Sequence, residues 1–310
     1  MSHRLRYFLF SLFAFAAVAL FARWQTAGFR WHKIDGELAY DTRWELQLSE
    51  EEEGKIIELL KQPFSYLGKG SQCYAFASAD GNYVIKFPRL HRMRSPLWMR
   101  LGARIPGFTA MQRLDRDYSK KREAELERNF LSYMIAYQQL KEATALVYLH
   151  LNRTPEWKFT TTFYDKIDCA HQLDLGKSYF LLQRRASWLV PELERMMKEG
   201  DEKRAKQLVD GLLARLLERA KLGLFDKDPH ITNNFGLIDG EVVQIDIGRY
   251  QDDPERARPK VYCEDIRHVL RKFLPWLSKR FPTLERHLLD KLDQMRENDL
   301  LSSGVDSCTP

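Results

Sequence analysis

Residues 226–248 constrain this chain more than any other segment. The run opens with Asp226-Lys227-Asp228-Pro229-His230-Ile231-Thr232-Asn233 and passes through two short β-rich stretches, 235–238 and 242–245. These turn at Asp239-Gly240, and the segment closes on Asp246-Ile247-Gly248. Asp228 and Asn233 are five residues apart, and Asp246 lies thirteen further on. A hairpin that carries an Asp, an Asn and a second Asp can offer one carboxylate to an attacking hydroxyl and two oxygen ligands to Mg²⁺, which is what phosphoryl transfer requires. An Asx-rich turn ahead of a hairpin would hold the same residue types for structural reasons alone.

The surroundings of this hairpin divide into a sheet-rich stretch and a helix-rich one. Ser49 and Glu52 form a capping-box pattern behind an acidic first turn, which predicts a helix that ends before Pro63. Two β-rich runs follow around Asp80-Gly81-Asn82, a hairpin signal. Residues 117–150 carry a helical period through Leu126, Phe130, Met134, Tyr137 and Leu140. Residues 159–164 and 179–183 read as strands, and 201–222 as an amphipathic helix with Leu208, Leu212, Leu216 and Leu217 on one side. Residues 263–300 read as helix broken at Pro275 and Pro282.

Apolar types at 44% and charged types at 30% of 310 residues exclude wholesale disorder. A net charge of +6, with no recognisable nucleic-acid motif, gives no reason to expect a nucleic-acid partner. The four cysteines, Cys73, Cys169, Cys263 and Cys308, are scattered and form neither a disulfide framework nor a zinc pattern. Reduced thiols in the cytosol are the expectation.

The N-terminus has its own pattern. Residues 7–22 are sixteen uncharged, mostly apolar residues, with Arg4 and Arg6 before them and Arg23 after. A cleaved signal peptide shares the basic start and apolar middle, but Ala17-Val18-Ala19 lies inside the apolar run. The expectation is an uncleaved anchor over 1–24, hence a single-pass membrane protein.

Two further motifs precede the hairpin. In Gly68-Lys69-Gly70-Ser71 the glycines would let backbone N–H groups approach phosphate oxygens, although a GxG of this kind also makes an ordinary turn. Lys86, within Val84-Ile85-Lys86-Phe87, could point into a cleft or simply snorkel from a strand.

Taken in order, these motifs resemble the protein-kinase-like superfamily over about residues 64–300. LGKGS is similar to its glycine-rich loop, YVIKF to its strand-three lysine motif, DKDPHITN to H-R-D-x-x-x-x-N, and DIG to D-F-G. The resemblance implies an α+β, two-lobed fold, with a β-rich N-lobe and a helical C-lobe; with the N-terminal run read as an anchor, one transmembrane helix is expected ahead of it. Its expected organisation is an anchor at 1–24, a juxtamembrane connector and helix at 25–63, an N-lobe at 64–183 with a basic insertion at 88–116, a C-lobe at 184–303 and a tail at 304–310.

It also implies ATP and Mg²⁺ as cofactors, a cytoplasmic kinase-like domain and a set of roles. Asp228 would be the catalytic base and Lys86 would hold the α/β-phosphates. Gly68, Gly70 and Ser71 would cover the phosphates. Asn233 and Asp246 would hold the metal, and Gln183, Arg184 and Arg185 would form the hinge against adenine. Glu142 would pair with Lys86, with Glu127 as the other possibility, and Asp265 would brace the catalytic loop.

The departures from the family pattern are informative. Cys73 stands where the loop has its third glycine, Asp226 and Lys227 replace His and Arg, and Ile247 replaces Phe. The stretch between Gly248 and Asp265 is too short for a protein-kinase activation segment and contains no A-P-E. The resemblance is therefore to the compact branch that phosphorylates small molecules, sugars and lipopolysaccharide cores, with a membrane-associated small-molecule, glycolipid or saccharide hydroxyl as the expected acceptor. A membrane-anchored, nucleotide-binding pseudokinase is the alternative. From Gly81 to Leu114 there is no acidic residue, and basic and apolar residues alternate. This insertion suits either an anionic membrane surface or a solvated position.

Overall fold

The structure is a computed structural model and describes residues 3–26 and 28–302. The expected tail at 304–310, with Cys308, lies outside the described residues. The chain divides into two compact units. One comprises Met1–Glu127 with Tyr148–Gln183, the other Arg128–Val147 with Arg184–Pro310.

The first unit is built on a seven-stranded sheet. Its strands are β1 (Phe64–Lys69), β2 (Cys73–Ser78), β3 (Tyr83–Pro88), β4 (Leu146–His150), β5 (Thr160–Tyr164), β6 (Ala170–Asp174) and β7 (Phe180–Arg184), in the order β4-β7-β3-β2-β1-β5-β6. The β2–β3 turn forms where Asp80-Gly81-Asn82 predicts it: Gly81 takes a φ of 76° and the Asn82 N–H donates to Asp80 Oδ1 at 2.9 Å. Along β2 the odd residues Cys73, Ala75 and Ala77 are half-exposed, whereas Tyr74, Phe76 and Ser78 are buried. Rings pack on that buried side. Phe163 lies 5.4 Å from Phe76, 5.3 Å from Phe87 and 5.5 Å from Phe64. Phe29 and Trp31, from the connector, cover them, with Phe29 4.9 Å from Tyr74 and 5.3 Å from Phe76. Each such ring contributes about 1.5–3 kcal/mol on burial, so the connector belongs to the sheet's core.

Helix α1 (His3–Gln25) precedes this connector, and its described side chains are mostly exposed, Phe10, Phe13 and Phe15 among them. It corrects a sequence expectation. The uncharged run between Arg6 and Arg23 is sixteen residues, or about 24 Å at 1.5 Å per residue, against a ~30 Å hydrocarbon core. Among the described residues, no helix is long and apolar enough to cross a membrane. The transmembrane helix placed ahead of the fold, the anchor at 1–24 and the single-pass membrane localisation are therefore withdrawn, and with them the tether that made a membrane acceptor attractive.

Helix α2 (Glu50–Leu60) starts at the Ser49–Glu52 capping box, both halves of which are formed. The basic insertion is ordered: it contains α3 (Leu97–Ala103) and leads into α4 (Thr109–Gln139). The helical period expected over 117–150 stops earlier in the structure. A short helix, α5 (Lys141–Thr144), ends at Ala145, whose φ of 51° reverses the chain into β4.

The second unit is mainly helical. It contains α6 (Leu189–Lys198), α7 (Glu202–Lys221), α8 (Ile231–Asn234), α9 (Pro259–Leu270), α10 (Leu274–Arg280) and α11 (Pro282–Ser302). Pro275 and Pro282 fall in the first turns of α10 and α11, where a missing N–H costs nothing. Leu193, Leu212, Leu216, Ile266, Leu277 and Leu288 are among its buried core residues. Set into the helices are β8 (Ser187–Trp188), β9 (Leu224–Asp226), β10 (Phe235–Ile238), β11 (Glu241–Gln244) and β12 (Tyr250–Asp252). β8 pairs with β10, β10 with β11, and β9 with β12.

Candidate active site

The pairing of β9 with β12 sets Asp226 opposite Tyr250 and closes a loop that holds both halves of the Asp–Asn–Asp pattern. Within it, Asp239 and Gly240 take φ values of 53° and 87°, as a two-residue hairpin turn with matching twist requires. The Ile245 N–H donates to Asn234 O at 2.7 Å, so the turn around Asp228 runs beside the turn around Asp246.

A buried polar network sits beneath the two turns. Asp226 is buried and accepts from the Asp228 N–H at 2.9 Å and from Gln244 Nε2 at 2.8 Å. Arg219 Nη1 donates to Gln244 Oε1 at 2.8 Å and lies 3.8 Å from the Asp226 carboxylate. Burial pushes the Asp226 carboxyl above the usual range, and the neighbouring Asp246 pushes the same way. Arg219 and the bonds from Asp228 and Gln244 pull it down. Both Asp226 oxygens are thus engaged within the buried network. Ser132, on α4, donates to Ile247 O and accepts from the Tyr250 N–H at 2.7 Å, fixing the far end of the loop.

The expected functional side chains lie above this network. Asp228 is half-exposed; its carboxylate is 3.2 Å from His230 Nε2 and 3.5 Å from Arg249 Nη1. Its carbonyl accepts from the His230 N–H at 2.8 Å and from Asn234 Nδ2 at 2.7 Å. Asn234 is thus the structural asparagine, which leaves the Asn233 side chain exposed. Asp246 is also exposed and accepts from the Gly248 N–H at 3.4 Å. Among the described residues, no group of three or more His, Cys, Asp or Glu side chains could hold a metal ion by itself. A cation here would need Asn233, Asp246 and oxygens that the protein does not supply.

In the first unit, register aligns Gly68 with Ala75 and Ala75 with Lys86, a row across three strands on the half-exposed side of the sheet. Neither Gly68 nor Gly70 takes a positive φ. A Cβ at Gly68 would meet nothing within 4 Å, and one at Gly70 only Cys73 O at 3.9 Å. The fold itself therefore does not demand glycine at either position. The Gly70 N–H donates to Cys73 O at 2.9 Å, while Arg89 and Arg92 donate to Gly70 O and Ser71 O at 3.1 Å and 2.6 Å. Two arginines of the basic insertion thus brace the glycine turn. Gln183 is buried on β7, the strand beside that of Lys86.

The structure therefore gathers Gly68, Gly70, Ser71, Lys86 and Gln183 in one unit and Asp228, Asn233 and Asp246 around one hairpin of the other. Glu142, on α5, and Arg185, after β7, are exposed residues of the second unit. Glu127, on α4, is ion-paired with Arg43 at 2.7 Å, and Arg184 with Asp239 at 2.6 Å. Asp265 pairs with Arg256 at 2.7 Å. Sequence reasoning missed Arg219, Gln244, His230 and Arg249. Arg219 carried a signal, because a charge inside the apolar stripe of α7 is buried only when it is paired.

The sequence matches no family model, and no curated protein matches it. Among solved structures, the complex of Rv3197 with erythromycin from Mycobacterium tuberculosis is similar at 16% identity and a TM-score of 0.33. That match covers 72% of this chain and 55% of that one, so this chain spans about half of it. The streptomycin–ATP–APH(2")-IIa ternary complex is similar at 13% identity and a TM-score of 0.24, over 84% of this chain and 95% of that one. Both similarities are shallow, and the site's chemistry is read from its own residues.

Proposed function

We propose that the protein is an ATP- and Mg²⁺-dependent phosphotransferase with a small-molecule hydroxyl as acceptor. The observation that carries this reading is the pair of adjacent turns pinned through Gln244, which present Asp228, Asn233 and Asp246 as accessible oxygen groups over a buried scaffold. Hard oxygen donors of this kind suit Mg²⁺ with few protein ligands, the rest coming from phosphate and water. Two glycines without a conformational need, of which Gly68 is in register with Lys86 through Ala75, suit a phosphate cradle.

When bound, Mg·ATP supplies the phosphoryl group and the charge neutralisation that its transfer needs. Asp228 takes the acceptor hydroxyl's proton on its carboxylate, which His230 and Arg249 orient. Asn233 and Asp246 would hold the cation, and Lys86 would bind phosphate oxygens. Gly68, Gly70 and Ser71 would cover the phosphates, with the Gly70 N–H already given to Cys73 O. Gln183 and Arg185 would lie against adenine, and Glu142 and Glu127 are the candidates for the acid paired with Lys86.

A thermal-shift titration with ATP, with and without Mg²⁺, tests the reading on wild type and Asp246→Ala. The expected result is a metal-dependent stabilisation in wild type that Asp246→Ala loses. Identical curves for the two proteins would refute it. Metal-dependent binding with no turnover of any acceptor would favour a nucleotide-binding scaffold.

A further inference from the structure

A cavity of about 230 Å³ opens directly beside Asp228. One wall is the candidate catalytic turn, with Lys227, Asp228 and His230; the other is the end of α9 and the residues after it, with His268, Arg271 and Lys272. Pro229 and Val269 supply its apolar surface. Three permanent cations therefore face one carboxylate, and that carboxylate is already shared with His230 and Arg249. Among the described residues, Lys227, Arg271 and Lys272 have no ion-pair partner, and all three are exposed.

A helix C-terminus favours cations, which accounts for His268 and Arg271. It does not account for Lys227 and His230, which approach from the opposite wall. Like charges converging on a concave surface repel one another unless an anion sits between them, and a cleft of one sign concentrates such ligands.

We infer that this pocket selects the acceptor, and that the acceptor is a hydroxyl compound carrying a phosphate monoester. The inference rests on Asp228 being the base. A phosphate monoester near pH 7 carries about −1.5 to −2 charges and three acceptor oxygens, which suits several converging cations better than a single carboxylate does. Because Asp228 lines the same cavity, a phosphate held by Arg271, Lys272 and Lys227 leaves the rest of the acceptor next to that carboxylate. Arg271 and Lys272 are then specificity determinants that touch the substrate but take no part in proton transfer.

The test is equilibrium binding to the full chain at low salt without ATP, using inorganic phosphate, glucose 6-phosphate, glucuronate and glucose as probes. Wild type is compared with Arg271→Ala/Lys272→Ala and with the charge-conserving Arg271→Lys/Lys272→Arg. The expected result is at least tenfold tighter binding of glucose 6-phosphate than of glucose or glucuronate. That preference should be lost in the alanine variant and kept in the charge-conserving one, with the melting temperature unchanged in both. Equal binding of the sugars, glucuronate matching glucose 6-phosphate, or a preference that survives in the alanine variant would each overturn the proposal. Phosphate-selective binding without any ATP turnover would leave the pocket standing and remove the phosphotransferase reading. Turnover of neutral acceptors with no preference for phosphate would do the reverse.

Discussion

Gln244 Nε2 lies 2.8 Å from the Asp226 carboxylate and 3.1 Å from the Asp246 carbonyl, so one buried amide ties the scaffold acid to the backbone of the candidate metal ligand. Replacing Gln244 with leucine would remove a hydrogen-bond partner from Arg219 Nη1 and from one Asp226 oxygen in a buried site. The expected cost is about 1–3 kcal/mol, measured by urea denaturation. Turnover should fall further than the stability loss alone explains, because Asp246 would no longer be held. A loss under ~0.5 kcal/mol would mean that this network does not support the fold.

Asp228→Asn keeps the shape of the turn and the bonds its carbonyl accepts from the His230 N–H and Asn234 Nδ2 but removes the proton acceptor. General-base removal costs about 10²–10⁴-fold in rate. A coupled ATP-turnover assay should show a loss in that range, while the ATP-dependent thermal shift stays at the wild-type value. Unchanged turnover would remove Asp228 from the mechanism.

Two glycines should respond in opposite ways to the same substitution. Gly223 has a φ of 74°, and an added Cβ would lie 2.9 Å from Asp253 O, so Gly223→Ala should lose at least ~1 kcal/mol of stability. Gly68 has neither constraint. Gly68→Ala should leave stability within ~0.5 kcal/mol of wild type and weaken nucleotide binding. Denaturation and nucleotide titration on the same two proteins separate the effects.

His150 makes stability depend on pH. The ring is stacked 5.1 Å from Trp157 and 5.0 Å from Phe180 and is bonded to Ser178 O and Thr154 Oγ1. Burial drives its pKa down to about 4, against ~6.5 in the unfolded chain. As pH falls from 6.5 towards 4, the unfolded state gains a proton that the folded state refuses. The neutral ring's advantage, complete above pH 6.5, is lost across that window, on the order of 3 kcal/mol in all. Between pH 7 and 4 the denaturation midpoint of wild type should fall more steeply than that of His150→Phe, which lacks the imidazole. Parallel slopes would show that other groups carry the dependence.

Local chemistry made much of this fold legible. The Ser49 cap, the turns at Asp80-Gly81-Asn82 and Asp239-Gly240, and the helix starts at Pro275 and Pro282 each follow from one or two residues with a strong conformational preference. The same holds for the order of the candidate site residues along the chain. What resisted reading depends on packing between segments distant in sequence. Asn233 and Asn234 are indistinguishable as letters, and only the fold turns one inward. Gln244 looks like an ordinary strand residue until Arg219 and Asp226 arrive beside it. Lys227 and Lys272 share a cavity across more than forty residues of chain. The apolar run at 7–22 did form a helix, but charge at Arg6 and Arg23 limits its uncharged length.

The way Phe29 and Trp31 lie against Phe76 has a practical consequence for anyone trimming the N-terminus. A shortened protein that starts at Glu45 would bare an aromatic slab to water, and clumping during expression should follow. One that begins at Gly28 keeps the slab roofed and should stay dispersed.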